Sequence, residues 1–559
     1  MKRYLVPVSM AALPLALSAF VSAGVLPDHQ TSNAWYQGGQ SNIAGKVNTP
    51  TATKAKNVIL FVGDGMGIST LTAARILNGQ RDGKPGEEGY LSFETFPHTA
   101  LVKTYNVDAQ TPDSAGTMTA MMSGLKTDAG VIGVDEDVVR GDCSTVVGNE
   151  VVTALELAEI KGLSTGIIST ARITHATPAA TYAKSADRDW EDVSDMPEAA
   201  VTGGCEDIAS QLVNFESNLE TRYKGVDVDG WEVAFGGGRR HFLPKDAAAN
   251  SADAVSAVEG DRTDKRNLVE EWKAKYPTGV YAFDQAGFDA INPDATERAF
   301  GLFNESHMQY EADRKNDIAG EPSLSAMTAK AIGILDNNQK GYFLMVESGR
   351  IDHGHHAGNA FNALNDAIEF AKAVQAAVDA TSADDTLILV TADHSHVFTI
   401  AGYPKRGNPI LGKVVSVGKD VPATAADGLP YTTLGYANGG GYRNLDQVTD
   451  ADAGYATVSS DMGVLEAKME QFVALGNNGT PDDASDDPVA VTGRVDLTPV
   501  DTTTPGFHQE TNVPLSSETH AGEDISLHAQ GPGAHLAQGV IEQSVVFHII
   551  DQALGLVSP

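Results

Sequence analysis

From Asn57 onward, short apolar runs rich in Val, Ile and Leu alternate with stretches of helical periodicity, the pattern of a mostly parallel sheet with helices on both faces. The clearest runs are 58–62, 166–169, 342–346 and 386–391. The first ends at Asp64, the third at Glu347 and the fourth at Asp393, while the second leads towards His175. In an open parallel sheet ligands bind beyond the carboxyl ends of strands, so polar residues placed there from distant sequence positions can converge on one site. Helical periodicity predicts helices over 114–123, 151–160, 362–380 and 540–554, the first opening at Ser114 itself. The fold class expected is α/β, an α/β/α sandwich around a large, mostly parallel central sheet.

Two regions depart from this rhythm. Residues 24–53 are polar and Gly-rich, which predicts an arm on the surface or on a neighbouring subunit. Between about 400 and 511 the texture turns to Gly, Asn, Thr and Asp, which predicts an insertion that leaves the core and returns, since His-bearing segments lie on either side of it. The start reads as a secretory signal over residues 1–23: Met1-Lys2-Arg3, an apolar run broken by Pro14, then Val21-Ser22-Ala23. The apolar part is too short and interrupted for a membrane span, and no other run of about 18 apolar residues follows. The expectation is an exported protein, periplasmic or secreted. The catalytic core then covers 54–399 and 512–559, with the insertion at 400–511.

The formal charge of −35, with only 39 Lys and Arg among 559 residues, excludes a polyanion such as nucleic acid as a specific partner. It fits a protein from a saline medium; a multivalent calcium-binding surface is the alternative, hinted at only by the acidic stretch 482–487. Two cysteines, Cys143 and Cys205, are most simply one disulfide in an oxidising compartment, with two buried free thiols as the alternative. The chain-entropy model puts such a crosslink at roughly 4 kcal/mol.

The chemistry concentrates in a few segments. VESGRIDHGHHAG, residues 346–358, sets Glu347, Asp352 and His356 in a Gly-containing loop after a strand, and TADHSH, 391–396, adds Asp393, His394 and His396. Carboxylates and imidazoles are zinc ligands, and two such clusters at strand ends point to metal more than to isolated structural histidines. VGDGMG, 62–67, places Asp64 among glycines that permit close approach. In TPDSAGTMTA, 111–120, Ser114 follows a Pro-Asp turn and opens a helix, where the dipole favours an alkoxide and an incoming phosphate. The same serine could serve only as a helix cap.

Taken in order, VGDGMG, PDSAGTMTA, HATPAATYA, ADRDW, VESGRIDHGHHAG, TADHSH and SETHAGED closely resemble the motif series of alkaline phosphatases, especially the animal and marine or halophilic bacterial members, from about residue 54 to the end. The resemblance implies two zinc ions and one magnesium ion. Asp352, His356 and His520 would bind the first zinc, and Asp64, Asp393 and His394 the second with Ser114 alongside. Asp64, Thr177 and Glu347 would hold magnesium, and Arg188 in ADRDW would clamp phosphate. Asp113, His175, His353 and His396 would lie beside the phosphate or behind the ligands, with His175 an outer magnesium residue and His396 orienting a ligand. Cys143 and Cys205 match a disulfide pair of the animal enzymes. The segment 397–409 resembles the start of their crown insertion, which implies a homodimer. Animal members also hold calcium beside Leu-Phe-Glu; here Leu302-Phe303-Asn304 lacks the acid, so a calcium site stays open.

The expected activity is hydrolysis of phosphate monoesters of broad specificity through a phosphoserine at Ser114. The rivals are a phosphodiesterase or sulfatase relative and an exported acidic metal-binding protein. A sulfatase would need a modifiable Cys near the nucleophile, and none is there.

Overall fold

The computed structural model describes residues 26–46, 54–444 and 494–557. The expected signal segment and the acidic stretch 482–487 therefore lie outside the described residues. Ten strands form one sheet: β1 (Asn57–Gly63), β2 (His98–Lys103), β3 (Ser164–Arg172), β4 (Val233–Gly237), β5 (Val280–Ala282), β6 (Ala299–Leu302), β7 (Tyr342–Ser348), β8 (Thr386–Ala392), β16 (Ile525–Gln530) and β17 (Gly539–Glu542). Among the described residues between β8 and β16 come seven short strands outside it: β9 (Ser395–His396), β10 (Phe398–Ile400), β11 (Leu434–Gly439), β12 (Arg443–Asn444), β13 (Phe507–His508), β14 (Thr511–Pro514) and β15 (His520–Ala521). The spatial order of the sheet is β17-β2-β16-β8-β1-β7-β3-β4-β6-β5, all parallel except β16. The runs read from the sequence become β1, β3, β7 and β8, which are adjacent in the order β8-β1-β7-β3 and buried along nearly their whole length.

Continuous burial explains their composition. A strand covered on both faces has no solvent side, so apolar residues fill successive positions instead of alternating. One face is covered by the Ile68–Arg81, Leu324–Leu335 and Ala360–Ala380 helices, which pack on one another, and the other by Ser114–Ser123, Ala154–Ile160 and Val545–Leu554. A single apolar cluster runs through all three layers, and a smaller one around Val131, Val134, Trp190 and Met196 surrounds Cys143. Cys143 and Cys205 are joined as a disulfide, with Cα atoms 5.9 Å apart.

The chain leaves the sheet after β8 and comes back to pair β16 directly with β8, Leu527 opposite Thr391. Of the stretch 400–511 in between, β10 and β11 join β14 in a separate three-stranded sheet, and residues 445–493 lie outside the described residues.

Two expectations change. Residues 24–53 were expected as an arm on the surface or on a neighbouring subunit, with no helix predicted in it; the described part forms the Asp28–Ser32 and Ala34–Lys46 helices, docked on this chain's own body. The Gln30 amide donates to the carbonyls of Ser123 and Val152 and accepts from Val152 N at 2.8 Å, and Tyr36 is buried against Phe547 and His548. A polar side chain that completes buried backbone hydrogen bonds anchors this segment, and hydrophobic periodicity does not register it. The expected 540–554 helix divides into β17 and a Val545–Leu554 helix, because Val540 and Ile541 continue the sheet edge beside β2.

Candidate active site

Strand register alone brings three acids together. Val62 of β1 pairs with Glu347 of β7, which pairs with Ser169 of β3, and Gly63 pairs with Ala392 of β8. Asp64 and Asp393 are the next residues on neighbouring strands, which run about 4.8 Å apart. All three carboxylates are fully buried. Gly65 donates its N–H to Asp393 Oδ1 at 3.0 Å, and its φ of +67° with a Cβ position 2.3 Å from His396 Nε2 admits only glycine there.

The segment expected as a loop after β7 is instead a helix, Arg350–His356. Residues four apart share a helix face, so Asp352 and His356 meet, with His356 Nε2 3.3 Å from Asp352 Oδ1. The intervening histidines turn elsewhere. His353 packs on His307, with ring centroids 4.1 Å apart and planes inclined at 60°, and lies 5.5 Å from His175; His355 is hydrogen-bonded to Thr70 and Tyr436. From the far side of the chain, β15 pairs with β9 so that His520 lies opposite His396. His520 Nε2 then stands 3.3 Å from Asp352 Oδ1 and 3.0 Å from His356 Nε2.

The tautomers follow from what the other ring nitrogens touch. Nδ1 of His356 faces the Glu518 carbonyl at 2.6 Å, Nδ1 of His520 faces the Pro112 carbonyl at 2.8 Å, and Nδ1 of His394 faces the Ser395 carbonyl at 3.3 Å. A carbonyl only accepts, so each Nδ1 carries the proton and each Nε2 presents a lone pair. Two such lone pairs 3.0 Å apart repel unless a cation lies between the rings and their carboxylates. His394 Nε2 is likewise 3.3 Å from Asp64 Oδ1 and 3.4 Å from Asp393 Oδ2, and the His394 and His520 rings stack with centroids 3.6 Å apart.

Ser114 is the first residue of the Ser114–Ser123 helix, but the cap is Asp113, whose carboxylate accepts from Gly116 N. Its hydroxyl is thereby free of capping and lies 3.2 Å from His394 Nε2 and 3.5 Å from Asp64 Oδ1. Asp113 also accepts from Asn106, Gly130 N and the Arg188 guanidinium at 3.1 Å, and Arg188 reaches His175 Nε2 at 3.3 Å. Arg188 is thus tied to the residue preceding the serine.

Several polar atoms of this centre are buried with no hydrogen-bond partner: Asp64 Oδ2, Asp393 Oδ2, Glu347 Oε1, Thr177 Oγ1 and His175 Nδ1. Buried oxygens left unpaired are costly, and a set of them from four segments facing one another fits cations. Burial, with Asp393, Asp352 and Glu347 as neighbours, holds Asp64 well above the usual carboxylate range. Burial, with Asp393 and Asp352 adding, pushes Glu347 up to about 8 despite the Ser169 hydroxyl on its other oxygen. Asp352 goes the other way: against its burial, the positive charge that His356, His396 and His520 carry when protonated draws it well below the ordinary value. Burial beside Arg188 and Arg172 lowers His175 to about 3. The residues form three possible cation groups: Asp352, His356, His396 and His520; Asp64, Asp393 and His394; and Asp64, His175 and Glu347.

A fourth group, Asp192, His241 and Asp261, is already paired internally, with His241 Nδ1 2.6 Å from Asp192 Oδ2. Beside Leu302-Phe303-Asn304, among the described residues, no three acidic, His or Cys ligands gather; the Asn304 side chain lies against Glu321 instead.

The residues expected from the sequence to bind zinc, magnesium or phosphate lie at this one end of the sheet, whereas the acidic stretch 482–487 lies outside the described residues. The sequence did not single out Glu518, Ser169 or His307. Glu518 stands two residues before His520 inside SETHAGED, which was a usable signal; Ser169 and His307 had none.

The alkaline phosphatase family model matches residues 55–556. The tissue-nonspecific alkaline phosphatase of Gallus gallus is 39% identical over 549 residues, covering 97% of this chain and 93% of that one. That of Homo sapiens is 40% identical over 511 residues, 91% and 84%. Among solved structures, the alkaline phosphatase of Thermus thermophilus superposes with a TM-score of 0.58 at 22% identity, covering 95% and 96%, and that of the Antarctic bacterium TAB5 with 0.54 at 20%, covering 90% and 99%. These two show the shared fold.

Proposed function

Because this chain belongs to the alkaline phosphatase family and is a phosphomonoester hydrolase, we propose that it converts phosphate monoesters of broad specificity to alcohol and inorganic phosphate through a phosphoserine at Ser114. Asp352, His356 and His520 would hold one zinc ion, Asp64, Asp393 and His394 a second, and Asp64, Thr177 and Glu347 a magnesium ion. The observation that carries this reading is the set of unpartnered buried atoms and lone-pair nitrogens gathered around a serine hydroxyl that does not cap its helix and contacts Asp64 and His394. When bound, these cations supply charge neutralisation on the phosphoryl and leaving oxygens and lower the pKa of water.

The chain's own residues do the rest. Ser114 Oγ gives up its proton to solvent and attacks phosphorus in line, the O–P bond forms as the bond to the alcohol oxygen breaks, and the alcohol leaves with the electron pair and takes a proton from solvent. Water then attacks the phosphoserine from the vacated side and Ser114 regains its hydroxyl. Arg188, steadied by Asp113, is positioned to hold two phosphoryl oxygens bidentately, and the helix N-terminus adds its dipole. Recognition directed at the phosphoryl group leaves the alcohol weakly read, which supports broad specificity. A dianionic grip argues against a diester, and both cysteines are committed to a disulfide, which argues against a sulfatase.

Export to the periplasm or medium and a homodimer through the inserted segment complete the proposal; no helix of the described residues is long and apolar enough to cross a membrane. The test is Ser114→Ala. It should keep bound zinc, lose phosphoserine labelling and lower kcat by about a thousandfold or more. Turnover and labelling at wild-type levels would contradict it.

A further inference from the structure

Glu518 is fully buried and touches two histidines of the centre at once. Its carboxylate Oε2 lies 2.6 Å from His396 Nδ1, and Oε1 accepts from Val397 N at 2.9 Å. Its main chain closes a second pair of bonds, the carbonyl accepting from His356 Nδ1 at 2.6 Å and the N–H donating to the His356 carbonyl at 3.1 Å. The far nitrogen of His396 stands 2.7 Å from Asp352 Oδ1. An imidazole with a carboxylate oxygen at each nitrogen donates from both, so His396 is clamped between Glu518 and Asp352 and fixes where Asp352 Oδ1 points.

The residue is itself held by the inserted segment. Gly439, at the end of β11 with φ of +124°, lies so close that a Cβ there would be 2.9 Å from Glu518 Cβ. Around it, Asn438 exchanges two hydrogen bonds with Thr519, at 3.0 and 2.9 Å, and Leu515 N donates to the Gly439 carbonyl.

We infer that Glu518 is a positioning residue, its carboxylate setting the orientation of His396 and through it of Asp352, its main chain that of His356. This inference rests on the proposed phosphatase centre. It does not require Glu518 to touch substrate or metal.

The experiment measures zinc retention by competition with a chromophoric chelator, together with kcat and KM for an aryl phosphate, in the full-length protein. In Glu518→Gln, zinc retention and kcat are expected to fall roughly 10- to 100-fold, with KM changing by less than about twofold, because the phosphate grip of Arg188 is untouched. Glu518→Asp keeps the charge one methylene short and is expected to fall between Glu518→Gln and wild type. Asn438→Ala breaks the tie to Thr519 without touching either histidine and should stay near wild type. Wild-type zinc retention and kcat in Glu518→Gln would overturn the inference, and so would an equal loss in Asn438→Ala, which would make the effect one of segment folding. If Glu518→Gln does not fold, Glu518→Asp decides on the same two readouts: wild-type values overturn the inference and an intermediate loss supports it. A wild-type protein that binds no zinc and hydrolyses nothing would instead overturn the phosphatase reading, and this inference with it.

Discussion

Two buried polar clusters in this molecule are built on opposite principles. At the ends of β8, β1, β7 and β3, acids and imidazoles crowd together with no Lys or Arg side chain bonded to Asp64, Asp393 or Glu347 among the hydrogen bonds and ion pairs of the described residues, and several oxygens have no partner. Beyond β4 the chain carries its own cations. Arg262, fully buried, grips Asp207 with both terminal nitrogens at 2.8 and 3.0 Å, Asp264 at 2.6 Å and the His241 carbonyl at 3.2 Å. Arg239 does the same with Asp253, Glu259 and the carbonyls of Phe283 and Leu302. The contrast separates structure from function: a buried charge cluster complete in itself holds the fold, whereas one short of positive charge holds something that arrives from solution.

The sharpest way to break this comparison is to remove divalent cations. A chelator should lower turnover of an aryl phosphate by about a thousandfold or more, several kcal/mol of lost transition-state stabilisation, and added zinc and magnesium should restore it. Undiminished activity in metal-depleted protein would erase the difference between the clusters.

Next in size is Arg262→Ala. It strands Asp207 and Asp264 without their partner and should cost about 3–5 kcal/mol of stability, read as a lower melting temperature. Metal content and kcat of the folded fraction should stay at wild-type values. A parallel loss of metal would mean that the two clusters are not separable.

The smallest effect expected concerns the anchoring of the N-terminal helices. His548, packed on Tyr36, is lowered by burial to about 4. Between pH 6.5 and 4 the unfolded chain binds this proton and the folded chain does not, so stability present above pH 6.5 is lost as the pH falls towards 4. The loss is at most about 3 kcal/mol. Melting curves of wild type and His548→Phe should converge in slope above pH 6.5 and diverge below it; identical slopes throughout would remove His548 from the account.

Much of this was legible in the sequence because strand burial and strand-end chemistry are local signals. Residues 58–62 and 387–390 are unbroken apolar runs, each ending near an acid, and once both are strands of one parallel sheet their register forces Asp64 and Asp393 together. The helix at Arg350–His356 was not legible, since its glycines and histidines read as loop, yet the i,i+4 spacing of Asp352 and His356 on that helix is what joins them. Neither was the docking of the N-terminal helices, which depends on Gln30 completing backbone bonds 93 and 122 residues away. Glu518 illustrates the same limit: its partners lie 121 to 162 residues away and are set by tertiary structure alone.

The most direct measurement is anomalous diffraction at the zinc edge from crystals of the zinc- and magnesium-loaded protein. The account predicts two zinc peaks per chain, one enclosed by Asp352, His356 and His520 and the other by Asp64, Asp393 and His394 beside the Ser114 hydroxyl. Active crystals with no zinc peak there, or with zinc bound only at other residues, would contradict it.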